Sequence, residues 1–415
     1  MDCYNTQTLM PLNEALTQLQ GSLSNVCGEI TLPISDALGF YLSQPVVSRL
    51  NVPPFDNSAM DGYAVRVEDL TNCSDTSPVK LTMVGKSFAG VPYEGEIPRG
   101  TCIRIMTGAV IPDSLNGVVM QEQCIQEGEQ IIFTSPVKMN SHIRFAAEDL
   151  KIGQQVLEIG HKLTPRDIPL LASLGIVDVN VFRKLKVAVF SSGDELKPLG
   201  ELLAPGQIYD TNRYSIKALF SKLNVDVLDM GIIKDDYALI KNALIKANVE
   251  ADIVITSGGV SVGEADFIKN VLDEIGEIGF WKLAIKPGKP FAFGKLQNSV
   301  FFGLPGNPVS AIVTLYQLVV PAITKMGGGI VKPAIRLNAI TTHDLPKRAG
   351  RTDFQRGNYS IDDEGKLVVN TTGNQGSGIF SSMSQSNCFI VLEQERGAVM
   401  SGERVTIEPY NTLMD

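Results

Sequence analysis

Between residues 186 and 322 the sequence alternates short apolar runs with segments of helical spacing, and this alternation limits the possible folds more than any other feature of the chain. The strand-like runs VAVFS, VDVLDMGI and DIVIT are followed by helical patterns near 212 to 222, 237 to 248 and 264 to 275. Such a β/α series predicts parallel strands joined by right-handed crossovers, with a ligand crevice outside their carboxyl ends. Polar residues fall where that rule needs them. Ser191, Ser192, Gly193, Asp194 and Glu195 follow the first strand, Asp235 and Asp236 the second and Ser257 the third, while Asp210 lies just ahead of a helix.

Three stretches give the crevice its chemistry: DIVITSGGVSVGEAD, WKLAIKPGKPFAF and SVFFGLPGNPVSAIVTLYQLV. In the first, Ile253 to Thr256 reads as a buried strand that ends in Ser257, Gly258 and Gly259. Paired glycines let several N–H groups point at one anion, and a helix from Glu264 would add its positive end; the structural alternative is a plain tight turn. No GK[ST] closes the loop, so it is not a Walker A motif. In the second stretch Lys282, Ala284 and Lys286 alternate along one strand and share a face, and Lys289 follows across a Pro-Gly turn. Two ammonium groups facing the interior of a parallel sheet are costly to desolvate without an anionic partner, which points to an anionic ligand. The third stretch ends a strand at Leu304, turns through Pro305, Gly306, Asn307 and Pro308, and opens an amphipathic helix running to about Ala322, with Asn307 as N-cap and Pro308 at N1. Carboxylates and lysines gathered at one sheet edge fit Mg²⁺ held partly by protein and partly by substrate phosphates, with Glu195 and Asp235 as its candidate ligands.

The rest of the chain frames this site. Its 415 residues, 44% of them hydrophobic, leave room for two to four domains with cores of their own. A formal net charge of −9 argues against a nucleic-acid binder. The six cysteines contain no CxxC pair and the three histidines are far apart, so neither a zinc site nor a disulfide framework is expected, and a reducing cytoplasm is. No basic region followed by an apolar core opens the sequence, and the longest apolar helix is interrupted by Thr314, Gln317 and Pro321; secretion and membrane insertion are not expected.

Leu12, Ala15, Leu16 and Leu19 recur at helical spacing, and residues 30 to 50 read as a turn and connector. The segment VPPFDNSAMDGYAV then places Asp56, Asn57, Ser58 and Asp61 in a structured loop ahead of short strands that run to about 141, one of which, CIRIM, closes at Thr107 and Gly108. Thr164 is expected to cap a helix with Pro165 at N1, and Gly175 to stop it. After Gly327 to Gly329, short alternating strands predict a small β domain.

Taken together, FDNSAMDGYA, SSGDEL, IYDTN, SGGVSVGEAD, KPGKP and GLPGNP closely resemble the molybdopterin molybdenumtransferase (MoeA) family, to which the gephyrin E domain is related. The resemblance covers essentially the whole chain. It implies a multidomain α/β plus β fold: a helical and linker domain (1–52 with 142–180), an inserted β domain (53–141), an α/β molybdopterin-binding domain (181–326) and a C-terminal β barrel (327–415). It also implies a homodimer, with molybdopterin adenylyltransferase and other proteins of the molybdenum-cofactor pathway as partners. Its reaction joins adenylylated molybdopterin and molybdate, with Mg²⁺, to give molybdenum cofactor and AMP. On this resemblance Asp61, Thr107, Glu195, Asp235 and Lys286 are the catalytic candidates. Arg144, Asp149, Ser257, Gly258, Gly259, Asp266, Lys282, Lys289, Pro305 and Pro308 are candidates for substrate binding. One stretch departs from the family pattern of several arginines followed by Gly-Glu-Asp, reading Arg144, Phe145, Ala146, Ala147, Glu148 and Asp149. Two competing readings use the same fold. A gephyrin-like scaffold predicts no molybdate-dependent turnover, and a molybdopterin adenylyltransferase predicts use of ATP.

Overall fold

The computed structural model describes residues 9–259, 267–410 and Met414. Its internal contacts group the described residues of Met1–Gln44, Ile159–Thr164 and Asp178–Asp415 in one unit, and Pro45–Glu158 with Pro165–Val177 in another.

At the centre of the first unit lies a six-stranded sheet in the order Val225–Ile233, Leu185–Ser192, Ile253–Ser257, Val300–Leu304, Pro290–Leu296, Gly276–Lys282. The first four strands are parallel, as the β/α alternation predicts. The last two are antiparallel additions at the edge. The reason is loop length: only residues 297–299 join Pro290–Leu296 to Val300–Leu304, and a parallel crossover needs about a dozen residues or more. Side chains alternate between two cores. Val187, Val189, Ile255 and Phe302 face one side with the Asn212–Phe220 and Leu12–Ser22 helices, while Ala188, Phe190, Val254 and Phe301 meet Tyr237–Glu250 and Phe267–Ile275 on the other.

The WKLAIK segment does not form the single strand expected of it. Gly276–Lys282 stops at Lys282, and Leu283, Ala284 and Ile285 are all fully buried, so no two-residue alternation survives. Here the chain passes from one sheet to another: Ala284 N–H donates to Met10 O (2.7 Å), and Ile285–Lys286 pairs in parallel with Thr352–Ile361. Lys282 and Lys286 therefore do not share a strand face, and Lys282 is exposed rather than turned inward.

The helix after Leu304 runs from Pro308 to Met326 and is buried on nearly every side rather than amphipathic. It is long and apolar enough to cross a bilayer, yet 78% of it is buried inside the fold, where it packs into the same core as Phe354, Phe389 and Val391. Its middle, Leu315–Val319, is a π turn in which Gln317 Nε2 donates to the buried Glu408 carboxylate at 2.7 Å. Pro321, which has no N–H, follows where the i→i−4 ladder is already interrupted. Beyond it, Leu337–Thr341, Thr352–Ile361, Leu367–Thr371, Cys388–Leu392 and Arg404–Pro409 close into a five-stranded barrel, since Thr352–Ile361 pairs with both Leu367–Thr371 and Cys388–Leu392. Closure leaves no free edge to aggregate.

The second unit is built on another six-stranded sheet, in the order Gly117–Met120, Gly62–Val65, Thr101–Ile105, Val79–Ser87, Gln130–Phe133, Cys124–Glu127. Its helix is Asp167–Ser173, starting two residues later than a Thr164 cap requires. Pro169 decides the start. Counted from Pro165 it would sit at the fifth position, where an N–H is needed, whereas from Asp167 it falls in the first turn. Gly175, at φ +66°, ends the helix as expected. Residues 30 to 50 are not merely connector, because Glu29–Pro33 pairs with Asp178–Phe182 in the first unit and Val46–Val47 with Gln155–Leu157 in the second.

Candidate active site

Four parallel strands deliver their polar residues to one edge of the first unit. Ser191 Oγ donates to Asp210 Oδ1 (3.0 Å), and Ser192 Oγ donates to Asp235 Oδ1. The turn after Ile253–Ser257 sits against these groups. Gly258 (φ +92°) has no room for a side chain, since a Cβ there would lie 2.6 Å from Ser192 O. Its N–H donates to Leu304 O at 3.2 Å and is therefore not free for the crevice. Gly259 (φ +66°) follows, and Asp266, with the expected helix start at Glu264, lies outside the described residues. Asn212, a residue to which no role fell in the sequence, bridges two of the motifs: its Nδ2 lies 2.7 Å from Ser257 Oγ and 2.7 Å from Gly306 O.

The acids at this edge divide by environment. Asp236 is a helix cap, accepting from Leu239 N–H at 2.9 Å. Asp210 is buried and paired with Arg213, whose Nε lies 2.8 Å from Asp210 Oδ2 and whose other arm holds both oxygens of Asp229 at 2.6 Å. Both are engaged within the protein. Glu195 and Asp235 are exposed; Glu195 folds back over Gly193, and Asp235 N–H donates to Asp194 Oδ1 at 3.3 Å. Pro305 is buried at the end of Val300–Leu304 and Pro308 holds N1 of the following helix, although Asn307 caps it by backbone position alone, with no side-chain bond.

The lysines are separated. Lys282 and Lys289 are exposed, while Lys286 is half-buried and its Nζ lies 3.0 Å from Asp353 Oδ2. Lys286 thus already has an anionic partner in the protein. Asp353 is only 3% exposed, and among the described residues its other side-chain donor is Gln355 Nε2 at 3.3 Å. Lys286→Gln therefore strands a buried carboxylate and is expected to lower unfolding free energy by about 1–3 kcal/mol in a urea titration. Full stability of the variant would show that the pair contributes nothing.

In the second unit Asp61 and Thr107 come together. The Thr107 N–H (2.7 Å) and hydroxyl (2.8 Å) both donate to Asp61 Oδ1. These bonds, the backbone one first, hold the exposed carboxyl below the usual carboxylate range, with a further push from the Arg104 charge. Arg104 is itself fixed, stacked 5.0 Å over the Tyr63 ring and donating to Gly62 O at 3.1 Å.

Elsewhere in this unit an open cleft of about 480 Å³ is lined by Val52, Pro53, Asn57, Arg144, Glu148 and Asp149. The N–H groups of its loop are consumed internally: Phe145 donates to Glu148 (3.0 Å), Ala146 to Asp56 (2.7 Å) and Asp149 to Val52 O (2.9 Å). What the loop offers an anion is the exposed Arg144 guanidinium. Ala147 holds φ +62°, a left-handed conformation that suits the glycine of the family pattern. Ala147→Gly is expected to raise stability by about 1 kcal/mol in chemical denaturation; a loss of stability would contradict that reading of the strain.

Comparison with known proteins agrees with this layout along the whole chain. Residues 10–175 match the MoeA N-terminal region (domain I and II), 188–325 a probable molybdopterin binding domain, and 338–410 the MoeA C-terminal region (domain IV). The chain belongs to the MoeA family. Among MoeA relatives, the molybdopterin molybdenumtransferase of Haemophilus influenzae is 51% identical over 98% of this chain and 100% of its own length. That of a Nostoc species is 35% identical over 89% of this chain and 86% of its own. A crystal structure of a molybdopterin biosynthesis MoeA protein from Pyrococcus horikoshii superposes with a TM-score of 0.85 at 32% identity, covering 97% of this chain and 100% of that one. In MoeA terms, Asp61, Thr107, Arg144 and Asp149 fall in the N-terminal region, and Glu195, Asp235, Ser257, the three lysines and both prolines in the molybdopterin-binding segment.

Proposed function

We propose that the chain is a molybdopterin molybdenumtransferase, which inserts molybdenum from molybdate into adenylylated molybdopterin, releases AMP and forms molybdenum cofactor. The observation that carries this reading is the full-length likeness to a molybdopterin molybdenumtransferase at 51% identity, in a chain whose exposed carboxylates and Ser257 turn meet at the strand ends of its molybdopterin-binding segment. The reaction has to hold a pterin phosphate, a scissile phosphate link and a tetrahedral oxyanion together, so positioning and electrostatics dominate over covalent chemistry. Ser257, Arg144, Lys282 and Lys289 serve as donors to oxyanions, Gly258 and Gly259 let the backbone approach, and Pro305 and Pro308 shape the crevice wall. Lys286 answers both to Asp353 and to the incoming anion, and Asp61, steadied by Thr107, handles a proton or a metal-bound group. Asp149 lines the same cleft as Arg144 and takes part in substrate binding there.

Among the described residues no three His, Cys, Asp or Glu side chains gather to hold a metal by themselves. Two exposed carboxylates, Glu195 and Asp235, are nonetheless the donor set Mg²⁺ takes when substrate phosphates and water complete its shell. When bound there, Mg²⁺ offsets the phosphate charge. The reading is tested by AMP release with and without Mg²⁺ and molybdate: both are expected to be required, and the Glu195→Ala, Asp235→Ala double variant is expected to lose turnover and its Mg²⁺ response. Unchanged turnover in the double variant would remove both residues from the site.

The proposal extends to a cytoplasmic homodimer working with molybdopterin adenylyltransferase and other proteins of the pathway, with no nucleic-acid or membrane partner. Mixed Asp61→Ala and Lys286→Ala subunits are its probe: partial recovery of activity supports a shared site, and no recovery despite proven subunit exchange counts against one.

A further inference from the structure

Asn212 opens the Asn212–Phe220 helix, 8% exposed, between the Ser257 turn and the Gly306 turn. Its orientation is fixed by chemistry. Gly306 O can only accept, so the atom 2.7 Å away is the amide nitrogen, and the second hydrogen of that nitrogen reaches Ser257 Oγ at 2.7 Å. Both amide hydrogens are thereby used. Two things are left over. Ser257, 3% exposed at the carboxyl end of its strand, receives a hydrogen bond while no described residue accepts its own hydroxyl hydrogen. Asn212 Oδ1 is buried and has no partner among the described residues, an arrangement that costs free energy until a donor arrives.

We infer that Asn212 is a positioning residue: it fixes Ser257 as a donor, aiming its hydroxyl at an oxyanion of the ligand, and keeps Oδ1 ready for a ligand N–H or O–H. The Gly258 N–H, already given to Leu304 O, does not do this work, so the hydroxyl is the anion donor at this turn. By holding Gly306 O as well, Asn212 ties the SGG and GLPGNP turns into one rigid rim. The inference rests on the proposed molybdenumtransferase reading for the identity of the oxyanion, either a phosphate of the adenylylated pterin or molybdate.

The test is a double-mutant cycle read by titration calorimetry, with adenylylated molybdopterin and molybdate titrated separately and folding checked by thermal melting. Ser257→Ala, which removes one hydroxyl, and Asn212→Ala are each expected to weaken the ligand that uses the hydroxyl by roughly 10-fold or more, and the double variant by no more than the worse single one. The ligand affected identifies the oxyanion. Asn212→Asp keeps the shape but can only accept, so it captures the Ser257 hydrogen and is expected to bind as poorly as Ser257→Ala. Single effects that multiply in the double variant, or an Asn212→Asp protein that binds like the unaltered one, would overturn the inference even if Asn212→Ala fails to fold. Failure of the unaltered protein to bind either ligand is a separate result, seen before any variant is compared; it refutes the functional reading and takes this inference with it.

Discussion

Asp61→Asn is expected to slow single-turnover AMP release by roughly 10²–10⁴-fold, the range of a lost general acid–base contribution, while binding of the adenylylated pterin and molybdate stays close to that of the unaltered protein. The carboxylate is exposed and takes both Thr107 bonds on one oxygen, and an amide oxygen accepts the same two bonds, so the substitution removes charge and little else. A negative group beside an anionic substrate adds no affinity, which is why the loss should fall on turnover. The pH dependence follows from the depressed pKa. Asp61 is ionised at neutral pH, and its contribution is lost only as pH falls through a folded pKa below the ordinary carboxylate range. Thr107→Val deletes the hydroxyl bond, moves that pKa back up and should shift the acidic limb of the rate profile to higher pH. Equal losses in affinity and turnover for Asp61→Asn would make Asp61 a binding group instead.

Arg213→Ala is expected to cost about 3–5 kcal/mol of unfolding free energy, the largest stability effect of any single change considered, because it leaves the buried Asp210 carboxylate without its cation, while Asp229 keeps Lys217. Arg213 and Asp210 are 8% and 1% exposed, and the guanidinium grips Asp210 with one arm and Asp229 with the other. Burial pushes the Asp229 carboxyl up, but bonds from Lys217 (2.5 Å), Arg213 and the Gly231 N–H outweigh it and hold that carboxyl below its usual value. A depressed carboxylate stabilises the fold above its unfolded pKa and loses that contribution as pH falls through the folded one. The gap between variant and unaltered protein in denaturant titrations should therefore narrow below about pH 4. A cost under 1 kcal/mol would mean that Asp210 finds another donor.

Much of this arrangement is legible in the sequence because it is local. The β/α alternation, the Ser257-Gly258-Gly259 turn, Pro308 at N1 and Gly175 at a helix end depend on residues within one or two turns of each other, and all appear where their chemistry puts them. What the sequence hides are partners brought from far away. Glu29–Pro33 looks like connector until Asp178–Phe182 supplies its ladder, and Lys286 looks unpaired until the barrel delivers Asp353. WKLAIK carries the two-residue period of a strand, but Leu283, Ala284 and Ile285 are all buried where the chain passes from one sheet to another, which erases the period. The helix from Pro308 reads as amphipathic because Thr314 and Gln317 interrupt its apolar run, yet Gln317 is satisfied inside the core by Glu408, 91 residues later. Asn212 and Asp210 sit two positions apart in IYDTN, and only the fold reveals that one faces the rim and the other an internal arginine.

The most direct measurement is a single-turnover incubation of the protein with adenylylated molybdopterin, Mg²⁺ and molybdate, in which AMP and molybdenum cofactor are quantified together. The molybdenumtransferase reading predicts that the two products appear in equal amounts and that omitting molybdate abolishes both. AMP release that ignores molybdate, or cofactor-free turnover that consumes ATP, would contradict it.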